Sequence, residues 1–269
     1  MTMIINNNIS ALNAYRNTND VNTRVEKSME KLSSGLRINR AGDDAAGLAI
    51  SEKMRGQIKG LDMATKNAQN GISMIQTSEG ALNETHAIIQ RMRELAVQSA
   101  NDTNTDSDRE KLQLEGTQLV EELNRIAETT EFNTRTLMDG EFEGEGVKFH
   151  IGANKDQSVE LKFNDMKADA LGLSDFDIKD GESANSAIDL VNNALESVSS
   201  ERAKLGATQN RLEHTINNLR VSGENLQAAE SRIRDADMAN EMVKFSKDQI
   251  ISQSGTAMLA QANTAPQSV

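Results

Sequence analysis

Three patterns in the chain have the residue types that chemistry would use. Asp139, Glu141 and Glu143, followed by Gly144, alternate like the opening of a calcium loop. Such a loop takes short oxygen ligands at its first, third and fifth positions and a bidentate Glu at its twelfth. Here the third and fifth places hold glutamates, long for the task, and the twelfth holds His150. The stretch reads as an acidic exposed turn. His86, His150 and His214 are scattered, without the His-Glu-x-x-His helix that would hold zinc. No glycine-rich stretch ends in Gly-Lys-Ser or Gly-Lys-Thr, so a phosphate cradle is absent. The lack of cysteine excludes disulfides, thiolate zinc sites, iron–sulfur clusters and Cys nucleophiles. The residues assign no catalytic group, no metal site and no cofactor, and the chain does not read as an enzyme.

Composition points to helices. The only proline of 269 residues is Pro266, so almost the whole backbone is free to run as uninterrupted helix. Apolar residues make up 37% of the chain, enough for helix seams but lean for one large globular core. The net charge of −12 and an aromatic share of 3% exclude a nucleic-acid binder, which needs phosphate-neutralising charge and stacking faces. No apolar run approaches membrane-spanning length, so membrane insertion is not expected. Met1 to Asn8 has neither a basic start nor a long apolar stretch, so export is expected to use a route without a cleaved signal peptide.

The elements that would carry these residues are legible from periodicity. Ile188, Val191, Leu195, Val198, Leu205, Leu212, Ile216, Leu219, Leu226 and Ile233 follow a 3-4 spacing that predicts a coiled-coil seam. Arg202, Gln209, Gly223 and Glu230 fill the remaining places on that track. Met54, Ile58, Leu61, Ala68, Ile72, Ile75, Leu82, Ile89, Met92 and Ala96 mark one face of a second helix, about 45–100, with Asp43 and Asp44 at its dipole-positive end. At 1.5 Å per residue that helix is roughly 80 Å long, so it reads as a rod. The turn-rich stretch Asn101 to Asp108 ends it, and a shorter helix follows with Leu112, Leu119, Leu123 and Ile126 on one face. Val147, Phe149 and Ile151, then Val159, Leu161 and Phe163, alternate as the two arms of a β-hairpin.

Both ends are amphipathic. Ile5, Ile9 and Leu12, then Val21, Val25, Met29, Leu32 and Leu36, form an N-terminal apolar track. Met238, Met242, Phe245, Ile250, Ile251, Met258 and Leu259 form a C-terminal one. Neither helix is stable alone in water, so each needs a partner. Met1 to Gly42 carries six basic residues against three acidic ones, whereas the middle holds most of the acidity. A solvated middle with weakly basic, apolar ends suits a subunit buried at its termini.

Several segments now resemble a known family. Ile4 to Arg16 reads IINNNISALNAYR, Leu32 to Ile50 reads LSSGLRINRAGDDAAGLAI, and Gln90 to Asn101 reads QRMRELAVQSAN. Glu131 to Leu137 reads EFNTRTL, Arg202 to Arg211 reads RAKLGATQNR, Glu224 to Met238 reads ENLQAAESRIRDADM, and Ala257 to Ser268 reads AMLAQANTAPQS. In this order they resemble the bacterial flagellins, the subunits of the flagellar filament. Only the stretch 139–183 stands where many members carry a large variable region, so the resemblance implies a minimal type without outer domains.

The resemblance implies a mainly α fold: a long antiparallel helical bundle with a small β-hairpin near 136–165, its terminal helices paired into an inner coiled coil. It divides the chain into an inner domain made of 1–42 and 226–269 and a middle domain of 43–225. It implies a secreted, extracellular structural protein whose terminal helices order as copies polymerise. The contacts between copies are then expected from Ile5, Ile9, Leu12, Val25, Met29, Leu32, Leu36, Met238, Met242, Phe245, Ile251, Met258 and Leu259. Implied partners are further copies of the chain, the flagellar type III export apparatus, an export chaperone, and hook-associated and cap proteins. A surface at Arg91, Leu95 and Glu115 is similar to one sensed by an animal Toll-like receptor. A hook-associated junction protein, which shares flagellin-like ends, is the alternative; the intact RMRELAVQSAN segment and compact middle favour flagellin.

Overall fold

The computed structural model describes residues 8–264. Six helices and two small hairpins follow one another: α1 Ile9–Ser34, α2 Ala45–Ser99, α3 Asp106–Thr129, β1 Glu131–Phe132, β2 Arg135–Thr136, α4 Glu141–Gly144, β3 Val147–His150, β4 Ser158–Leu161, α5 Gly181–Arg234 and α6 Met238–Thr264. The fold is mainly helical, as the periodicity predicted, and none of the described helices is long and apolar enough to cross a membrane.

Helix ends fall where local chemistry stops or starts them. The Asn8 side chain accepts from the Ala11 amide at the start of α1, and Gly35, at φ 72°, ends it in the left-handed region. Leu36 therefore lies beyond the helix whose apolar track it was expected to extend. Asp44 Oδ1 accepts from the Gly47 amide at 2.8 Å, capping α2. Thr105 and Asp108 form a reciprocal capping box for α3, so that helix begins inside the stretch expected as turn.

Inter-residue contacts divide the chain into two units: residues 59–223, and residues up to 58 together with those from 224. In the 59–223 unit, Ala68, Ile75, Leu82, Ile89, Met92 and Ala96 of α2 meet a buried face of α5. The two helices run antiparallel, with Arg202 Nη2 lying 3.9 Å from Glu79 Oε1. The Ser99 hydroxyl donates to the Ile178 carbonyl, just before α5 begins. Leu123 and Ala127 of α3 join the same core.

The α5 seam is rotated from the expected one. Val191, Val198, Leu205 and Leu212 are buried as predicted, but the rest of the buried face is Ala184, Ala187, Ala194 and Glu201. Ile188 and Leu195 are only half-buried. The same core also takes in the segment 162–180, which has no regular secondary structure. That segment inserts Phe163, Met166, Leu171, Leu173, Phe176 and Ile178 into the core. Glu201 is tolerated there because its Oε1 accepts from the Asn164 amide at 3.3 Å and Lys204 Nζ lies 3.4 Å from its Oε2.

The β3–β4 hairpin pairs Val147 with Leu161, Phe149 with Val159 and His150 with Ser158. Its tip rests on α2 beside Gly60, where an added Cβ would lie 2.9 Å from Ala153 Cβ. The Asn67 side chain holds it by donating to the His150 carbonyl at 3.0 Å. A second hairpin, β1–β2, turns through Asn133 and Thr134, both at positive φ.

Candidate assembly surface

The unit containing the chain ends is built on α1 and α6, which pack antiparallel. Asn8 Nδ2 donates to the Ala262 carbonyl at 2.7 Å near one end. The Ser28 hydroxyl donates to Glu241 Oε1 at 2.8 Å near the other. Between them Arg24 Nε reaches Asp248 Oδ1 at 3.4 Å, and Ser252 Oγ donates to Asn22 Oδ1 at 2.8 Å. Gly255 lies against Thr18, where an added Cβ would be 2.8 Å from Oγ1.

The chemistry of this seam is inverted relative to an ordinary coiled coil. The buried residues of α1 are Thr18, Val21 and Ser28, and on α6 the only one is Glu241. Large apolar side chains point the other way. Ile9, Leu12, Tyr15 and Met29 of α1 are exposed, as are Met238, Met242, Val243, Ile250, Ile251 and Met258 of α6. Val243 and Ile250 retain 68% and 64% of their accessible surface. So many exposed Ile, Leu, Val and Met on two paired helices are a candidate interaction face, since single exposed apolar residues are ordinary but groups of them are not.

This arrangement sorts the expected contact residues into two groups. Ile9, Leu12, Met29, Met238, Met242, Ile251 and Met258 face outward. Val25, Leu32, Phe245 and Leu259 are half-buried along the α1–α6 pairing, and Leu36, also half-buried, forms an isolated bridge with Asp235. Ile5 lies outside the described residues. Tyr15 and Val243 were not expected; each stands beside the apolar track, on the flank that a simple 3-4 pattern treats as solvated.

Glu241 is the polar anchor of the pair. Burial pushes its carboxyl up, but the Ser28 hydroxyl and the Lys244 ammonium together hold it below the ordinary carboxylate range. Beyond Gly35 the chain is tied to the end of α5 and its link to α6: the Arg37 amide donates to the Arg234 carbonyl at 2.7 Å, and the Ala236 amide to the Gly35 carbonyl at 2.9 Å. Arg234 Nη1 pairs with Glu52 Oε1 at 2.5 Å, which depresses the Glu52 carboxyl chiefly through that hydrogen bond. Asp43 is likewise lowered, by amide hydrogen bonds from Arg40 and Asn39.

The three expected receptor-contact residues do not share one surface. Arg91 bonds Glu115 at 2.9 Å and Glu94 at 2.8 Å, and all three are exposed. Leu95 has no accessible surface and belongs to the core. A partner docking here would touch Arg91 and Glu115, while Leu95 fixes the helix beneath them. The acidic turn serves its own backbone: the Thr136 hydroxyl donates to Asp139 Oδ2, and Asp139 Oδ1 accepts from the Glu141 amide at 3.1 Å. Among the described residues no group of three or more His, Asp or Glu is placed to hold a metal ion.

A mainly helical chain that buries hydroxyls and a carboxylate between its terminal helices, exposes many large apolar side chains and groups no metal ligands among its described residues fits the class of structural subunits. Residues 5–143 match the bacterial flagellin N-terminal helical region and residues 188–269 the bacterial flagellin C-terminal helical region. The chain belongs to the bacterial flagellin family. It is 57% identical to a flagellin of Halalkalibacterium halodurans, over 99% of this chain and 98% of the relative. It is 54% identical to the flagellar filament 33 kDa core protein of Treponema phagedenis, with the same coverage. The crystal structure of Bacillus cereus flagellin, 29% identical, superposes with a TM-score of 0.51 over 57% of this chain and 88% of that one. The protein is a non-enzymatic structural subunit that polymerises into the extracellular flagellar filament.

Proposed function

We propose that the outward faces of α1 and α6 form the surface through which copies join, and that these helices become ordered only as they join. The observation that carries this reading is the make-up of the pair: Thr18, Ser28 and Glu241 are among its most buried residues, while many large apolar side chains stay exposed. Fixing a residue costs about 1–2 kcal/mol of backbone entropy, whereas burying one large apolar side chain returns about 1.5–3 kcal/mol. A pair of helices that buries Val21 and only half-buries Val25, Leu32, Phe245 and Leu259 does not recover that cost alone. Neighbours that cover Ile9, Leu12, Ile250 and Met258 do.

In this reading residues 1–42 and 226–269 form the inner domain and 43–225 the middle one. An unstructured terminal segment also suits passage through a narrow type III export channel, and while unassembled it offers an export chaperone an extended apolar sequence. Hook-associated and cap proteins would meet the same terminal faces at the two ends of the filament. Arg91 and Glu115 remain the accessible part of the proposed Toll-like receptor contact.

The test is truncation. Chains lacking 1–40 or 235–269 should keep a folded 59–223 unit, seen as cooperative thermal unfolding, yet form no filaments. Normal filaments from either truncation would overturn the assignment. Val243→Glu tests the face with a single change and should also abolish assembly while leaving that unfolding transition in place.

A further inference from the structure

We infer that Met29, Met238, Met242 and Met258 are oxidation sites at which a peroxide converts the unassembled subunit into a form excluded from the filament. The inference rests on the proposed role of the α1 and α6 outward faces. Methionines are segregated in this molecule. Met74, Met92, Met138 and Met166 are buried in the 59–223 core. Of the exposed methionines among the described residues, all but Met63 stand on α1 or α6, and Met258 retains 66% of its surface. The Ser28–Glu241 hydrogen bond sets Met29 and Met242, each next in sequence to a bonded residue, at one level of the pair, with Met238 one turn before Met242. The chain has no cysteine, so thioethers are its most readily oxidised side chains.

The reaction needs only hydrogen peroxide. A sulfur lone pair attacks one peroxide oxygen, forming the S–O bond as the O–O bond breaks. The sulfur gives up two electrons, and the other oxygen leaves as water once protonated. The product replaces a flexible apolar side chain with a polar, chiral one. In the unassembled subunit these side chains are open to water, so the sulfoxide is hydrated and costs the monomer little. Between subunits it would have to be buried without that water. The effect therefore falls on assembly and not on the fold of the monomer.

Dilute monomer is treated with hydrogen peroxide, sulfoxides are located by peptide mass, and the critical concentration for polymerisation is measured by sedimentation. The expected result is modification at Met29, Met238, Met242 and Met258 but not at Met74, Met92, Met138 or Met166. The critical concentration should rise roughly tenfold or more, the loss of about one buried apolar side chain per contact. The M29L/M238L/M242L/M258L variant, which retains Met63, should polymerise equally with and without peroxide; should it not polymerise untreated, M242L and M258L singly must each relieve part of the inhibition. Oxidised protein that assembles like untreated protein would overturn the inference, as would leucine variants that remain fully sensitive. Met242→Gln and Met258→Gln separate this from the underlying reading. Normal assembly of both glutamine variants would show that the face is not buried between copies. Blocked assembly of these variants beside normal assembly of the sulfoxide form would defeat the oxidation inference alone.

Discussion

Leu95→Ala and Arg91→Ala are adjacent changes, one helical turn apart on α2, whose consequences should differ sharply. Leu95 has no exposed surface and sits in the core with Met92, Leu123 and Ile178. Truncating a fully buried leucine to alanine removes its transfer energy and leaves a cavity, a loss of about 2–5 kcal/mol. In a domain of 150–250 residues each kcal/mol lowers Tm by about 2–4 °C, so L95A should melt roughly 4–20 °C lower. Arg91 makes two ion pairs, but its side chain is 48% exposed and its partners Glu94 and Glu115 are 67% and 45% exposed. Pairs this wet contribute about 0–1 kcal/mol each after screening. R91A should therefore lie within a few degrees of the parent, and 1 M salt should narrow the gap further. Calorimetry of both variants as monomers decides the matter. A Tm for L95A within 2 °C of the parent, or an R91A loss as large as the L95A loss, would refute the reasoning. The consequence for recognition studies is concrete: a response lost with L95A reports folding unless stability is measured beside it.

Glycines give a prediction of sign. Gly80 of α2 and Gly206 of α5 have open space where a Cβ would sit, so G80A and G206A should each stabilise the monomer by up to about 1 kcal/mol through helix propensity. At Gly116 the new Cβ would lie 2.6 Å from Phe176 Cε1, and at Gly60 it would meet Ala153. G116A and G60A should destabilise by about 1–3 kcal/mol despite the same propensity gain; urea melts of the four variants test the ordering. Acid should loosen the terminal pair through Glu241. Its folded pKa lies below the ordinary 4.5, so its contribution is complete above that value and is lost as pH falls through the lower folded one. Filament disassembly monitored by light scattering should steepen below about pH 4.5, and Glu241→Gln should flatten that part of the profile.

The long helices were legible because their signals are long. The 45–100 periodicity and the single distant proline left α2 little alternative, and its observed span is Ala45–Ser99. The β3–β4 hairpin was legible for a similar reason, with two alternating apolar triplets around a polar loop. What escaped was information carried by residues that apolar patterning ignores. Ala184, Ala187 and Ala194 are too small to stand out as seam residues, yet all three are buried in the core. That segment alternates at mixed spacings of two and three, matching neither helix nor strand, so its core role had no periodic mark. The Asn133–Thr134 turn was hidden because Thr rarely takes positive φ.

At the chain ends the apolar residues were visible but their direction was not. A helical wheel places Ile9, Leu12 and Met258 on apolar flanks without saying whether the partner helix or solvent lies opposite. Here the partner takes Thr18, Ser28 and Gly255, because small side chains let two helices approach closely and hydrogen-bond across the seam. Leu36 was drawn into the α1 track because its spacing fits, whereas Gly35 stops the helix one residue earlier.

Amide hydrogen exchange across 9–34 and 238–264, measured on dilute monomer and on filaments of the same preparation, tests the central claim most directly. Ordering on assembly predicts exchange within seconds throughout both segments in the monomer, beside slow exchange in 59–223, and strong protection of all three regions in the filament. Terminal amides already protected in the monomer to the level of the 59–223 core would contradict it.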